Sequence, residues 1–233
     1  MHRLLRNATA AASCVALSFT VLGSLQTSAS AGQPDGYGPR APFDDALMGD
    51  DGPAEPMKDQ SKIVRTKHGY RLTSGQQDNK IIVTLKNDRR LLVRDRATRS
   101  WKSLPKACTK KNANKGIRAV CRVPATYTKK KPMLLEIHPR LGDDLVDGRT
   151  MPKRIEMAVL ADAGRDVVHT GAGNDFVNAA QDADWVHGNG GRDWIRGGKG
   201  NDRIFGGNGG DYLVGQDGRD TIRGGAGKDR IYQ

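Results

Sequence analysis

An aspartate recurs every nine residues, without a break, along the C-terminal third of the chain: Asp166, Asp175, Asp184, Asp193, Asp202, Asp211, Asp220 and Asp229. Two residues after each stands an aliphatic side chain, in order Val168, Val177, Val186, Ile195, Ile204, Leu213, Ile222 and Ile231. A carboxylate and an apolar group that return at a fixed interval mark a stack of equivalent units, each too small to bury its own apolar face. Nine residues suffice for one turn and one very short strand. The aliphatic residue is the inward one, because strand side chains alternate.

The positions before the aspartates are rich in glycine, which opens backbone conformations closed to other residues and lets carbonyl oxygens converge. Carbonyls and carboxylates are the ligands a hard cation such as Ca²⁺ prefers. Carboxylates gathered without a cation would repel one another, so fold and ion are expected to be coupled. Three units, GGKGND, GGNGGD and GGAGKD, repeat one pattern in full. TGAGND, GNGGRD and GQDGRD each depart at one glycine, ADAGRD is weaker, and AAQDAD has lost every glycine.

This stretch closely resembles the repeats-in-toxin (RTX), or hemolysin-type, calcium-binding repeats, whose pattern is G-G-x-G-x-D-x-U-x with U apolar. The resemblance covers residues 161–233. It implies a parallel β-roll with two nonapeptides per coil and Ca²⁺ between the loops of adjacent coils. Neighbouring loops on one side are then 18 residues apart, so Asp175, Asp193, Asp211 and Asp229 line one edge and Asp166, Asp184, Asp202 and Asp220 the other. The metal ligands implied are these eight aspartates with the loop glycines Gly188, Gly197, Gly198, Gly200, Gly206, Gly207, Gly209, Gly215, Gly224, Gly225 and Gly227. The best sites are expected between the loops ending at Asp193 and Asp211, Asp211 and Asp229, and Asp202 and Asp220, with Asp175 and Asp193 as a fourth. Phe176, Trp194 and Tyr212 should stack on the outside of one sheet, and His169 and His187 on the other.

The rest of the chain is different in kind. Residues 1–31 read as a secretory signal: Arg3 and Arg6 precede an apolar run from Ala12 to Leu25, and Ala29-Ser30-Ala31 is a small-residue cleavage site. The expected location is therefore extracellular, with a bacterial secreted protein the simplest source and no transmembrane span in the mature chain. Residues 32–61, rich in Pro, Gly and Asp, read as a flexible linker. Residues 62–138 read as a basic β-rich domain, or as rungs leading into the roll. Its short runs are Ile81–Leu85, Leu91–Val93, Ala119–Val123 and Met133–Ile137, with Asn87-Asp88 as a turn. Residues 139–160 read as transition rungs. There Gly142-Asp143-Asp144-Leu145-Val146 is a partial unit out of phase, and Ile155–Leu160 a capping strand. Cys108 and Cys121 are expected to pair in an oxidising compartment.

Charge divides the same way. From Gly32 to Leu160 there are 27 Lys and Arg against 15 Asp and Glu, or 27 − 15 = +12. From Ala161 to Gln233 there are 9 against 11, or 9 − 11 = −2. The basic half points to an anionic partner such as a cell-surface polymer, although no specific nucleic-acid motif is present. No G-x-S-x-G or H-E-x-x-H occurs. The sequence therefore reads as an all-β, non-enzymatic calcium-binding module: a C-terminal parallel β-roll preceded by a small β-rich basic domain. The alternatives are a secreted polyanion-binding protein acting through the basic segment and the accessory part of a secreted hydrolase.

Overall fold

The computed structural model describes Met57 and residues 59–233. The signal segment and nearly all of the linker lie outside the described residues. Every element is a strand. The first seven are β1 (Gln60–Arg65), β2 (Gly69–Thr73), β3 (Lys80–Lys86), β4 (Arg90–Asp95), β5 (Ser100–Ser103), β6 (Cys108–Lys111) and β7 (Ile117–Arg122). The solenoid strands follow: β8 (Met133–His138), β9 (Leu145–Asp147), β10 (Ile155–Leu160), β11 (Val167–His169), β12 (Phe176–Gln181), β13 (Trp185–Gly190), β14 (Trp194–Lys199), β15 (Arg203–Asn208), β16 (Tyr212–Asp217), β17 (Thr221–Ala226) and β18 (Arg230–Tyr232). No helix of the described residues is long and apolar enough to cross a membrane.

The strands form two sheets of nine, ordered β18-β16-β14-β12-β10-β8-β2-β1-β5 and β17-β15-β13-β11-β9-β3-β4-β7-β6. From β8 onward successive strands alternate between the sheets and all pair in parallel, so each coil gives one strand to each sheet. The roll thus begins at Met133, well before Ala161. Strand β10, expected as a cap, is an interior rung between β8 and β12. The basic segment extends the same two sheets, since β2 pairs in parallel with β8 and β3 with β9. Neither sheet breaks at residue 138 or 160, and β1 starts inside the expected linker.

One inward aliphatic residue per strand forms a continuous row in each sheet, and β8 and β10 add Met133, Leu135, Ile155 and Met157 to the core. In the first sheet Leu72, Ile137, Val159, Val177, Ile195 and Leu213 stand side by side in register. In the second, Ile81, Val146, Val168, Val186, Ile204 and Ile222 do the same. All belong or pack to one continuous apolar cluster that also holds Tyr70, Leu91 and Val93. Full burial of such a side chain stabilises by roughly 1.5–3 kcal/mol, and no rung supplies more than a few. Stability is therefore collective.

Local chemistry fixes the antiparallel part. Asn87 and Asp88 both take positive φ, 46° and 57°, as a tight turn matching the twist of the β3–β4 hairpin requires. Cys108 and Cys121 face each other across β6 and β7 and are joined by a disulfide. A buried polar knot ties this part to the roll. Asp95 accepts hydrogen bonds from the hydroxyls of Ser61 (3.2 Å), Ser74 (3.2 Å) and Thr98 (2.5 Å). Asn79, beside it, donates its side-chain N–H groups to the carbonyls of Gly75 and Pro139.

The side-chain ladders form. Phe176 meets Trp194 at 5.5 Å, Trp194 meets Tyr212 at 5.7 Å, and Tyr232 continues the row at 5.1 Å. The inner end of this row is not exposed: Phe176 is buried in a second cluster with Leu134 and Ala158. On the other sheet His169 stacks on His187 at 4.9 Å and His187 on Phe205 at 4.5 Å.

Coil spacing leaves no room for a Cβ at certain glycines. Gly209 has φ of 139°, and a Cβ there would lie 1.5 Å from the Gly191 carbonyl oxygen. The loop of the weak unit holds this conformation without glycine, with Ala180 at φ 80° and Asp182 at φ 73°. Gly209→Ala should therefore lower stability by more than about 3 kcal/mol. Ala180→Gly, which relieves a left-handed alanine, should raise it by up to about 1 kcal/mol. Urea denaturation of both variants in saturating CaCl₂ measures the two shifts.

Candidate metal centre

Each repeat aspartate sits where its loop enters a strand, and the neighbouring coil fixes one of its oxygens. The Oδ1 of Asp193 accepts the backbone N–H of Asp175 at 2.8 Å, that of Asp211 the N–H of Asp193 at 2.9 Å, and that of Asp229 the N–H of Asp211 at 3.0 Å. On the opposite edge Asp184 accepts from Asp166 (2.8 Å), Asp202 from Asp184 (2.9 Å) and Asp220 from Asp202 (2.9 Å). The two edges are the two sets of four that the 18-residue period implies. The second edge runs further back than the sequence reading placed it. Asp166 accepts the N–H of Asp144 at 2.8 Å, and Asp144 accepts that of Asn79 at 2.5 Å. Asp144 and Asp166 are 22 residues apart, so the partial unit expected at Gly142–Val146 is a rung lengthened by its loop. Its signal was Val146, two residues on, in register with Val168.

The other carboxylate oxygen is the chemically interesting one. Oδ2 of Asp144, Asp166, Asp184, Asp193, Asp202 and Asp211 is buried and has no hydrogen-bond partner. A buried carboxylate oxygen without a partner carries a desolvation penalty of at least about 1–3 kcal/mol. Such oxygens ask for a proton or a cation.

What faces that oxygen depends on the residue five positions earlier. For Asp193, Asp202 and Asp211 that residue is Gly188, Gly197 and Gly206. The space a Cβ would occupy there is bounded by Oδ2, at 2.4, 2.2 and 2.3 Å, and by a carbonyl oxygen of the next coil. That carbonyl belongs to Gly206 at 2.6 Å, Gly215 at 2.9 Å and Gly224 at 2.7 Å, respectively. Three oxygen-walled cradles result, between the loops ending at Asp193 and Asp211, Asp202 and Asp220, and Asp211 and Asp229. Gly215 and Gly224 floor the same kind of space beneath Asp220 and Asp229, at 2.2 and 2.1 Å, without a further coil above.

The earlier coils differ at this position. Ala161 precedes Asp166, Ala179 precedes Asp184, and Thr170 precedes Asp175, so each brings a side chain to the place where the later coils have none. At Asp175 the second oxygen is also taken, by the Gly171 N–H at 2.9 Å. The Thr170 hydroxyl meanwhile donates to the Gly188 carbonyl at 2.8 Å. The other loop glycines, Gly198, Gly200, Gly207, Gly209, Gly225 and Gly227, all take positive φ and let the coils stack closely.

The donor set suits a hard cation. Among the described residues no three His, Cys, Asp or Glu side chains converge on a point. What converges is carboxylate and glycine carbonyl oxygen, the set Ca²⁺ takes. Electrostatics agree. Burial, opposed by the backbone hydrogen bond each accepts, pushes Asp144, Asp166 and Asp184 up to about 8 from the ordinary carboxylate value of 3.8. Asp193 is raised by burial and by the flanking charges of Asp175 and Asp211, and Asp202 and Asp211 are raised by burial as well.

The segment matches one protein-family model, described as RTX calcium-binding nonapeptide repeat (4 copies), over residues 159–186, 179–213 and 205–232. Neither a curated protein nor a solved structure matches the chain.

Raised carboxylates make the ion-free roll a proton-binding fold. The stability they confer is full below the ordinary carboxylate range and is lost as pH rises toward about 8. In EDTA the melting temperature should accordingly fall by at least about 5 °C between pH 6.5 and pH 8.5. This window lies above the titration of His169 and His187, both lowered by burial. An ion-free melting temperature flat across it would contradict the assignment.

Proposed function

The chain carries RTX-type calcium-binding repeats, and we propose that it is a secreted structural module whose last coils close around Ca²⁺. The supporting observation is the set of three cradles in which an unpartnered aspartate oxygen faces a glycine carbonyl of the next coil across a space too small for a side chain. The residues offered as ligands are Asp193, Asp202, Asp211, Asp220 and Asp229 with the carbonyls of Gly206, Gly215 and Gly224. Asp166, Asp175 and Asp184 hold up the earlier coils, where alanine or threonine takes the place of the glycine floor. The ion supplies positive charge to carboxylates that otherwise need protons.

This division gives the module a direction. The coils from Met133 to about Val186 share one core with β1–β7 and form a base that needs no metal. The coils from Gly188 onward are the responsive part. Extracellular calcium modules bind with a Kd of about 10⁻⁴–10⁻³ M. In a calcium-poor cytoplasm the last coils therefore stay open, and they close after export through the N-terminal signal. The role is architectural, presenting a rigid face to a partner. A second reading concerns the basic strands. Residues 80–122 hold 14 Lys and Arg against 2 Asp, which favours an anionic cell-surface polymer as that partner.

Equilibrium dialysis tests the calcium reading. The mature chain should bind three Ca²⁺ ions with positive cooperativity and should not bind Mg²⁺ at the same concentrations. Gly206→Ala places a methyl in the Asp211 cradle, the residue type that Ala161 and Ala179 supply naturally. It should fold and lose one ion. A variant that keeps full stoichiometry would show that the ions bind elsewhere.

A further inference from the structure

Strands β3, β4, β7 and β6 turn their inner residues to the core and leave one broad outer face. The register of that face is unusual. Lys86, Arg90 and Arg122 lie directly opposite one another across β3, β4 and β7. Four residues further along the strands Arg94, Arg118 and Lys111 do the same across β4, β7 and β6. The result is two rows of three cations. Neighbours within a row are about 5 Å apart in backbone and the rows about 13 Å apart.

Like charges placed directly opposite are destabilising, and other arginines of the molecule are compensated. Arg149 pairs with Asp147 at 2.8 Å, Arg154 with Asp88 at 2.8 Å, and Arg165 with Asp143 at 3.1 Å. In the roll Arg196, Arg203 and Arg223 lie over the rings of Trp194, Trp185 and Phe205. Among the described residues none of the six cations of the two rows has a carboxylate partner. Of the two carboxylates in residues 80–122, Asp95 points inward and Asp88 is held by Arg154. Two polar groups on this face are also screened from water without a hydrogen-bond partner, Arg118 Nε and the Thr84 hydroxyl.

We infer that this face is the docking surface for a linear acidic polysaccharide, whose carboxylate or sulfate groups seat on the two cation rows. The inference rests on the reading of the basic strands as a polyanion surface and gives it a place and an occupant. Four of the six cations are arginines, whose planar fork matches such groups in a bidentate way. Between the rows stand Thr84, Leu92, Val120 and Thr109. Strands β3, β4, β6 and β7 hold no aromatic residue to offer a base a stacking platform, which single-stranded nucleic acid needs. Among the described residues every element is a strand, and no helix stands on this face to enter a duplex groove. None of the exposed large apolar residues, Leu141, Trp185, Ile231 and Tyr232, lies on these strands to enter a lipid headgroup layer.

Fluorescence anisotropy with a labelled heparin octasaccharide, on the mature chain in saturating CaCl₂, tests the assignment. A face variant combines Arg90→Gln, Arg94→Gln, Arg118→Gln and Arg122→Gln. A charge-matched control combines Lys67→Gln, Lys129→Gln, Lys130→Gln and Lys131→Gln, all exposed loop positions. Both are checked for wild-type circular dichroism and calcium stoichiometry. The face variant should weaken binding at least about tenfold and the control less than about threefold, with a shallower salt dependence in the face variant alone. Equal weakening in the two variants would overturn the surface while leaving a general polyanion affinity. Tighter binding to oligo-dT or to phosphatidylserine vesicles than to the octasaccharide would overturn the occupant. If the face variant does not fold, Arg94→Gln with Arg118→Gln alone should still lose at least about threefold; an unchanged affinity in that pair contradicts the assignment. No binding by the wild-type chain would remove both the surface and the polyanion reading, without touching the calcium sites.

Discussion

Everything in the roll depends on an aspartate carboxylate whose two oxygens do different work. Oδ1 accepts the backbone N–H of the matching aspartate one coil earlier, and this bond repeats up both edges from Asn79 to Asp229. It sets the height of each coil and turns each loop into its strand. Oδ2 is then left buried and unpartnered in six of the aspartates. The architecture therefore creates the demand for positive charge that the chemistry answers. Removing the side chain would break the stack, and keeping it requires a proton, a hydrogen bond or a cation at the same oxygen.

How that demand is met changes along the chain. Near the start the residue five before the aspartate carries a side chain, Ala161, Thr170 or Ala179, and the buried Oδ2 of Asp144, Asp166 and Asp184 is left to a proton, the carboxyls being pushed up to about 8 by burial. At Asp175 the loop supplies its own N–H to the second oxygen. From Gly188 onward the position is glycine, and a carbonyl of the next coil replaces the side chain. The early coils also lean on β1–β7, whose strands extend both sheets and share the core. On the proposed reading, a well-supported base thus carries a tip that depends on its ligand, as expected of a solenoid whose coils touch only their neighbours.

Much of this was legible in the sequence. The nine-residue return of Asp and of Val, Ile or Leu dictates the alternation between two sheets, and the period of 18 gives the two aspartate edges. Of the four loop pairs named from glycine content, three are places where oxygens converge; at the fourth, Asp175 with Asp193, Thr170 stands in place of glycine and the Gly171 N–H takes the second Asp175 oxygen. The partial unit at Asp144 was legible as a rung out of phase, and it belongs to the ladder, the loop around Arg149 to Arg154 lengthening its coil to 22 residues. Two things were hidden. Ile155–Leu160 looked terminal because it lacks an aspartate of the repeat, yet hydrogen bonding on both sides makes it a rung. The rows formed by Arg94, Arg118 and Lys111 and by Lys86, Arg90 and Arg122 exist only through the register of antiparallel strands. Local sequence does not determine that register until turns and disulfide fix it.

The central claim is that calcium demand begins at Gly188 and that the coils before it stand without metal. Hydrogen exchange read by mass spectrometry, in CaCl₂ and in EDTA at the same pH, tests this most directly. The account predicts equal protection of residues 133–186 in both conditions, with protection of 188–232 appearing only in calcium. Protection of the last coils that persists unchanged in EDTA would contradict it, as would loss of protection across the whole roll at once.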